Sequence, residues 1–423
     1  IPVPESAEMV GILEDQFIFQ LRKEWSVNGA NHLPGEIISF SVSEFLKNEN
    51  KLPPIYSIFV PTKNLAAESV SLSSEGVYLT LSQDVISVVK FFDFKNGQWN
   101  EHTIHLPKGG SLRVVSANSF AKAVFFNFED FTTPDSLYVS NQWKEKPKKI
   151  KTLPSQFKDK GFVSNQYFAT SKDGTKVPYF VIHKKGLKFT GDHPTLQYGY
   201  GGFEYGLQPF YSGGIGKAWL EKGGVYVVAN IRGGGEYGPE WHQAALKTHR
   251  QKAYDDFIAV SEDLIQRKIT NPQKLAIKGG SNGGLLVGAV FIQRPDLYQA
   301  VICQVPLLDM LRFHKLLAGA SWVGEYGSPE NADERAAILK YSPYQNVKKD
   351  QKYPEVLFIT STKDDRVHPG HARKMVARMQ EFGHKVYYYE TIEGGHSTAA
   401  NMLQYAEQAA IQYIYLYKQL GMK

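Results

Sequence analysis

A serine hydroxyl is a poor nucleophile at neutral pH. It needs a base to take its proton, and the base needs an anion to orient it. One serine stands where this chemistry is arranged. Ser281 lies within Gly279-Gly280-Ser281-Asn282-Gly283-Gly284, after the apolar run Leu275-Ala276-Ile277 and before a long one from Leu285 to Ile292. The spacing predicts strand, tight turn and helix with the serine at the apex, the Gly-x-Ser-x-Gly nucleophile elbow. A Cβ at the flanking positions would strike the neighbouring strand and helix, so glycine is expected at 279, 280, 283 and 284. The helix beginning here points free N–H groups and the positive end of its dipole at the place where an oxyanion would form. The plainer alternative is a glycine-rich turn packing a helix on a strand; the strand–turn–helix context favours the elbow.

In this class of site the order is serine, then Asp or Glu, then His, each after a late strand. The acid follows Val356 to Thr360, in Lys363-Asp364-Asp365-Arg366-Val367-His368-Pro369. Spacing alone does not separate Asp364 from Asp365. The histidine follows Val386 to Tyr389, in Glu393-Gly394-Gly395-His396-Ser397. Both sit just past their strands, where the sites of open α/β sheets lie. His371 is the main rival to His396, but it is expected to open a helix after Pro369 in a surface or capping role. His368 and His371 form His-x-x-His with no third ligand nearby, so no metal is expected.

The elements that must position these residues come from the second part of the chain. Strand candidates are Thr195 to Tyr198, Val225 to Ala229, Leu275 to Ile277, Val301 to Cys303, Val356 to Ile359 and Val386 to Tyr389. Helical spans alternate with them. Ala253, Phe257, Val260, Leu264 and Ile265 make one apolar stripe, and Gly370 to Phe382 and Ala399 to Leu420 read as further helices. This alternation predicts a doubly wound, mostly parallel sheet covered on both faces. Residues 1 to 153 differ in kind. Short aromatic or alternating runs such as Phe17 to Phe19, Glu36 to Phe40, Val85 to Val89 and Ala123 to Phe126 are separated by turn residues, as in Lys95-Asn96-Gly97. This is an all-β region of antiparallel strands, either three or four propeller blades or a sandwich. The boundary is expected near Leu153-Pro154, giving domains 1–153 and 154–423.

The bulk numbers narrow the class. A length of 423 residues suggests two or three domains, and the net charge of +6 is spread along the chain. The densest basic cluster, Lys144 to Lys151, reads as a solvated linker. No nucleic-acid fold or aromatic-basic motif is present, so no nucleic-acid partner is expected. No apolar run is long enough to span a bilayer, so no membrane partner is expected. Cys303 is the sole cysteine and lies in an apolar run, which points to a core thiol and leaves no intramolecular disulfide. The sequence assigns no compartment; a cytoplasmic location is favoured over a periplasmic or secreted one. Ile1-Pro2-Val3-Pro4-Glu5 does not resemble a signal peptide, and the numbering is consistent with a start inside a longer polypeptide.

Read together, these residues resemble the prolyl oligopeptidase family of serine peptidases, densely from about 155 to 420 and loosely before that. The motifs are Tyr198-Gly199-Tyr200-Gly201-Gly202-Phe203, Arg232-Gly233-Gly234-Gly235-Glu236-Tyr237-Gly238, Gly279 to Gly284, Asp364-Asp365-Arg366-Val367 and Gly395-His396. The resemblance implies an α/β-hydrolase domain preceded by part of a β-propeller. It implies an endopeptidase that cleaves short peptides after proline through an acyl-enzyme, as a monomer without cofactor. Ser281 would attack, His396 would be general base and then acid, and Asp364 rather than Asp365 would orient it. The Asn282 N–H and the Tyr200 hydroxyl would hold the oxyanion. Trp322 would stack on the proline ring in a pocket lined by Phe203, Leu307, Val367 and Tyr326, and Arg366 would bind a substrate carbonyl, unless it pairs with Asp365.

Departures from the family pattern raise further expectations. His368 replaces a usual apolar residue, so the Asp364 loop would differ in shape. Leu307 replaces a frequent valine and would alter the pocket. The family's propeller closes seven blades, so this chain would be a fragment or be completed by other residues, because open blades leave unpaired edges. The competing readings are an oligopeptidase cleaving after basic residues, which would need acidic groups in the pocket, and a carboxylesterase on the same fold. A binding module with an inactive hydrolase domain is the alternative from a different class.

Overall fold

The computed structural model describes residues 1–49 and 51–422, which divide into two compact units. The first comprises Ile1–Ser155 with Gln208–Ser212 and Gly235–Trp241. The second takes in Gln156–Leu207, Gly213–Gly234 and the chain from His242 onward.

The first unit holds three four-stranded antiparallel sheets. One is built from Glu8–Leu13, Gln16–Gln20, Ile37–Ser41 and Tyr56–Phe59, and a small hairpin, Trp25–Val27 with Ala30–His32, lies between its strands in sequence. The next is Leu65–Ser73, Gly76–Gln83, Ile86–Lys95 and Gln98–Thr103, and the last is Ser111–Ser116, Val124–Glu129, Ser136–Ser140 and Lys148–Thr152. The strand Gly76–Gln83 shows why its sequence is apolar throughout. Val77, Leu79 and Leu81 pack with Ile18, Ile37 and Ile58 of the first sheet. Tyr78, with Val89 and Phe91, packs with Leu112, Val124 and Phe126 of the third. Alternate side chains point to opposite faces, and here both faces are covered. A sandwich has only two sheets; a middle sheet buried on both faces makes these propeller blades. Part of the lysine cluster is not a linker. Lys148, Lys149 and Lys151 lie on the exposed strand Lys148–Thr152 at the edge of the third sheet. Exposed lysines suit an edge strand because they oppose pairing with another chain.

The second unit is built on an eight-stranded sheet. Its strands are β1 Phe162–Thr170, β2 Lys176–Lys184, β3 Thr195–Gly199, β4 Val225–Ala229, β5 Leu275–Gly280, β6 Ala300–Gln304, β7 Glu355–Ser361 and β8 Val386–Thr391. Their order across the sheet is β1-β2-β4-β3-β5-β6-β7-β8. From β4 through β8 all neighbours are parallel, whereas β1–β2 and β2–β4 are antiparallel. The sequence reading missed β1 and β2. They form a hairpin whose outer strand is partly exposed, so β1 lacks the continuous apolar run that marks the buried strands. One face of the sheet packs on helices α1 Gln251–Gln266 and α2 Asn282–Gln293, through Phe257, Val260, Leu264, Leu286 and Val290. Helix α3, Gly370–Glu381, buries Met375 and Met379 in the same core. Helix α4, Met402–Leu420, starts later than Ala399 because the Asn401 side chain caps it, accepting from the Gln404 N–H. Cys303 is buried, and burial pushes its thiol pKa up.

Candidate active site

The elbow forms at the end of β5. Ser281 takes φ 58° and ψ −117°, and α2 begins at the next residue. That backbone region is unfavourable for a residue with a side chain and occurs where the surroundings impose it. Here the Ser281 N–H donates to the carbonyl of Gln304 at 2.9 Å, while its carbonyl accepts from the Leu285 N–H at 3.1 Å. A Cβ on Gly279 would lie 2.0 Å from the Gly283 carbonyl oxygen, and one on Gly284 would lie 2.6 Å from that of Gln304. A Cβ on Gly283 would reach the Gly199 oxygen at 2.8 Å. Gly280 departs from the expectation: its nearest neighbour would be Gln304 Cβ at 3.7 Å, an ordinary contact, because this position faces open space beside β6.

Asp364 follows β7 and is 4% exposed. Its Oδ1 accepts from the N–H groups of Arg366 and Val367 at 3.0 and 2.9 Å, which fixes the carboxylate in the loop. His396 follows β8, and its Nδ1 lies 2.8 Å from Asp364 Oδ2 and 3.0 Å from Oδ1. A carboxylate only accepts, so Nδ1 carries the proton and Nε2 of the neutral ring is left as the acceptor. Asp365 is exposed and does not hold the imidazole. Among the described residues no hydrogen bond joins the Ser281 hydroxyl to His396; such bonds are often long before substrate binds. All three residues leave the same, C-terminal edge of the parallel strands.

His371 is not a surface residue. It is 2% exposed inside α3, and its Nδ1 accepts from the N–H groups of Leu308 and Asp309. Burial lowers its pKa to about 4. His368 is half-buried, and its Nδ1 accepts from the Gly370 N–H at 2.9 Å, capping the start of α3.

Tyr200 follows β3, half-buried, and burial raises its phenol pKa. Its carbonyl accepts from Asn282 Nδ2 at 2.6 Å, which ties the Tyr200 loop to the first residue of α2. The first N–H groups of that helix have no intrahelical acceptor. The Phe203 ring meets the Tyr326 ring edge-on at 5.7 Å. Tyr326 is fully buried, and its hydroxyl donates to Asn282 Oδ1 at 2.8 Å. Trp322 ends the turn Leu317–Trp322 and packs partly buried on the main core. Leu307 and Val367 are 1% and 2% exposed and so present little free surface. The Arg366 side chain is exposed and makes no ion pair with Asp365 among the described residues, while its carbonyl accepts from the Ala318 N–H at 3.3 Å.

Two residues given no role by the sequence reading join these parts. Arg250, 1% exposed, donates to Glu325, to the Gly201 carbonyl and to Asn282 Oδ1. Glu325 also accepts from the Phe203 N–H at 2.9 Å and lies 2.8 Å from His242 Nε2. Burial alone would raise the Glu325 carboxyl pKa; His242, Arg250 and the Phe203 N–H outweigh it and hold it below the usual range. Nothing in Lys247-Thr248-His249-Arg250-Gln251-Lys252 signals a buried arginine, because its neighbours are those of a solvated surface.

Comparison with known proteins gives the family. Residues 215–423 match the prolyl oligopeptidase family, and residues 53–152 match the prolyl oligopeptidase N-terminal β-propeller domain. An uncharacterised peptidase of Sinorhizobium fredii is 45% identical over 421 residues, which is 99% of this chain and 58% of that protein. The prolyl endopeptidase of Elizabethkingia meningoseptica is 40% identical over 317 residues, covering 74% of this chain and 44% of its own length. Among solved structures, a post-proline cleaving enzyme from Rickettsia typhi superposes with a TM-score of 0.93 at 37% identity, covering 100% of this chain and 61% of that one. The chain belongs to the prolyl oligopeptidase family of serine peptidases, and it spans about three fifths of the length of the Sinorhizobium relative and the Rickettsia structure.

Proposed function

We propose that the protein containing this chain is a serine endopeptidase that hydrolyses short peptides on the carboxyl side of proline. Residues 1–153 are read as the C-terminal part of its propeller and 154–423 as its peptidase domain. The observation that carries the reading is the strained Ser281 elbow on the same sheet edge as the Asp364–His396 pair. His396 Nε2 takes the Ser281 proton as the hydroxyl attacks the scissile carbonyl, and the imidazolium is stabilised by Asp364. The oxyanion is received by the Asn282 N–H and the Tyr200 hydroxyl. Protonation of the leaving amine by His396 gives the acyl-enzyme, which water hydrolyses by the reverse proton path. Proline presents an apolar ring and no N–H of its own, which suits a slot bounded by Trp322, Phe203 and Tyr326 with Leu307 and Val367 behind it. Arg366, exposed beside Asp364, binds a substrate carbonyl.

Specificity for basic residues would need a free carboxylate in that slot. Glu325, on the helix of Tyr326, is already engaged by Arg250 and His242, which favours proline. The test is turnover of matched peptides with Pro, Arg or Ala before the cleaved bond. The proline peptide is expected to be cleaved at least about a hundredfold faster in kcat/KM than either other, a gap of about 3 kcal/mol in transition-state binding. Faster cleavage of the Arg peptide would overturn the assignment.

A further inference from the structure

The guanidinium of Arg250 lies among three segments that the proposed reaction needs in fixed relation. Nη1 donates to Glu325 Oε1 at 2.9 Å. Nη2 donates to the Gly201 carbonyl at 2.7 Å and to Asn282 Oδ1 at 2.6 Å. Its Cζ lies 5.3 Å from the centroid of the Tyr326 ring. Each acceptor belongs to a different element: the loop after β3, the first residue of α2, and the short helix Val323–Tyr326. Secondary bonds close the circuit, from Asn282 Nδ2 to the Tyr200 carbonyl and from the Tyr326 hydroxyl to Asn282 Oδ1.

We infer that Arg250 is a positioning residue for the oxyanion site: through Gly201, Asn282 and Glu325 it sets the spacing between the Tyr200 loop, the Asn282 N–H and the pocket wall. This rests on the reaction proposed above. Oxyanion donors act only when they stand at hydrogen-bond distance from the place where charge develops, so a small widening of this spacing lowers turnover. Arg250 itself is walled off by the groups it holds, so substrate affinity should change little. Lysine cannot replace it, because one ammonium cannot reproduce the planar fork that serves acceptors on separate nitrogens.

The test compares the full-length protein that contains this chain, unsubstituted, with its Arg250→Lys and Arg250→Met variants. The double variant Arg250→Met/Glu325→Gln, which leaves no lone buried charge, serves if the single variants do not fold. Three quantities are read: kcat and KM on the proline peptide, the rate of fluorophosphonate labelling of Ser281, and amide hydrogen exchange across residues 199–205 and 281–287. The expected result for Arg250→Lys is a kcat lowered about a hundredfold, a KM changed by less than about threefold, slower labelling in step with kcat, and faster exchange in those two segments only. Unchanged kcat in a folded variant overturns the proposal, as does a loss seen only as a lower Tm with full activity per folded molecule. If the unsubstituted full-length protein cleaves no proline peptide, the reaction assigned above has failed; exchange then decides the positioning role, and unchanged protection of 199–205 overturns it.

Discussion

Ser281 shows how much a single residue can be constrained by its neighbours. At φ 58° and ψ −117° a side chain costs about 1–3 kcal/mol relative to a relaxed backbone. The surroundings impose it: the strand–helix turn is closed by the bonds to Gln304 and from Leu285, and the Gly279–Gly283 approach leaves no other path. Glycine relieves that strain and alanine does not. Ser281→Gly is therefore expected to be more stable than Ser281→Ala by about 1 kcal/mol, read as a higher Tm of about 2–4 °C. Both should lose fluorophosphonate labelling. Equal melting temperatures would show that the elbow stores no strain. The elbow was legible in the sequence because glycines at fixed offsets leave few alternatives. The requirement at Gly280 was overstated, since only the fold reveals which glycine faces an open side. Arg250 was not legible at all, because burial of a charged residue depends on acceptors that lie far away in the chain.

At the scale of elements, the strands that position the site were read correctly from their short apolar runs. β4, for instance, is apolar along its whole length and buried throughout. Of the missed hairpin, β1 is only half covered, whereas β2 is buried from Val177 to His183 and its apolar run was a signal the sequence did offer. The same physics explains the misread lysine cluster. Five lysines in one short stretch repel each other in a linker, yet on the edge strand the ammonium groups of Lys148, Lys149 and Lys151 stay solvated while the backbone pairs on one side. Replacing Lys148, Lys149 and Lys151 together by valine should leave the folded unit intact and promote self-association, because it creates a flat apolar edge. Light scattering at rising protein concentration is the check, with far-UV circular dichroism confirming the fold. A triple variant that stays as dispersed as the parent would remove the edge-protection role from these lysines.

At the scale of the whole molecule, one buried histidine links chain packing to acidity. His371 joins α3 to the segment after β6 by accepting from the Leu308 and Asp309 N–H groups, which it can do only while Nδ1 is unprotonated. Burial lowers its pKa to about 4, whereas an exposed histidine titrates near 6.5. The sign follows. Between these values the unfolded chain binds a proton that the folded chain does not, so stability is fully present above about pH 6.5 and is lost as pH falls toward 4. The loss is about 1.4 kcal/mol per pH unit, or about 3 kcal/mol over the window. The net charge of +6 at pH 7 grows on acidification and adds general repulsion, but that term is shared by any variant of the same charge. His371→Gln keeps an acceptor at this place and cannot titrate. Urea midpoints measured from pH 7 to pH 4 should therefore fall more steeply for the parent than for His371→Gln, with the two slopes converging above pH 7. Parallel slopes across the window would mean that His371 is not held neutral in the folded protein, and that acid destabilises it through carboxylates such as Asp309 instead.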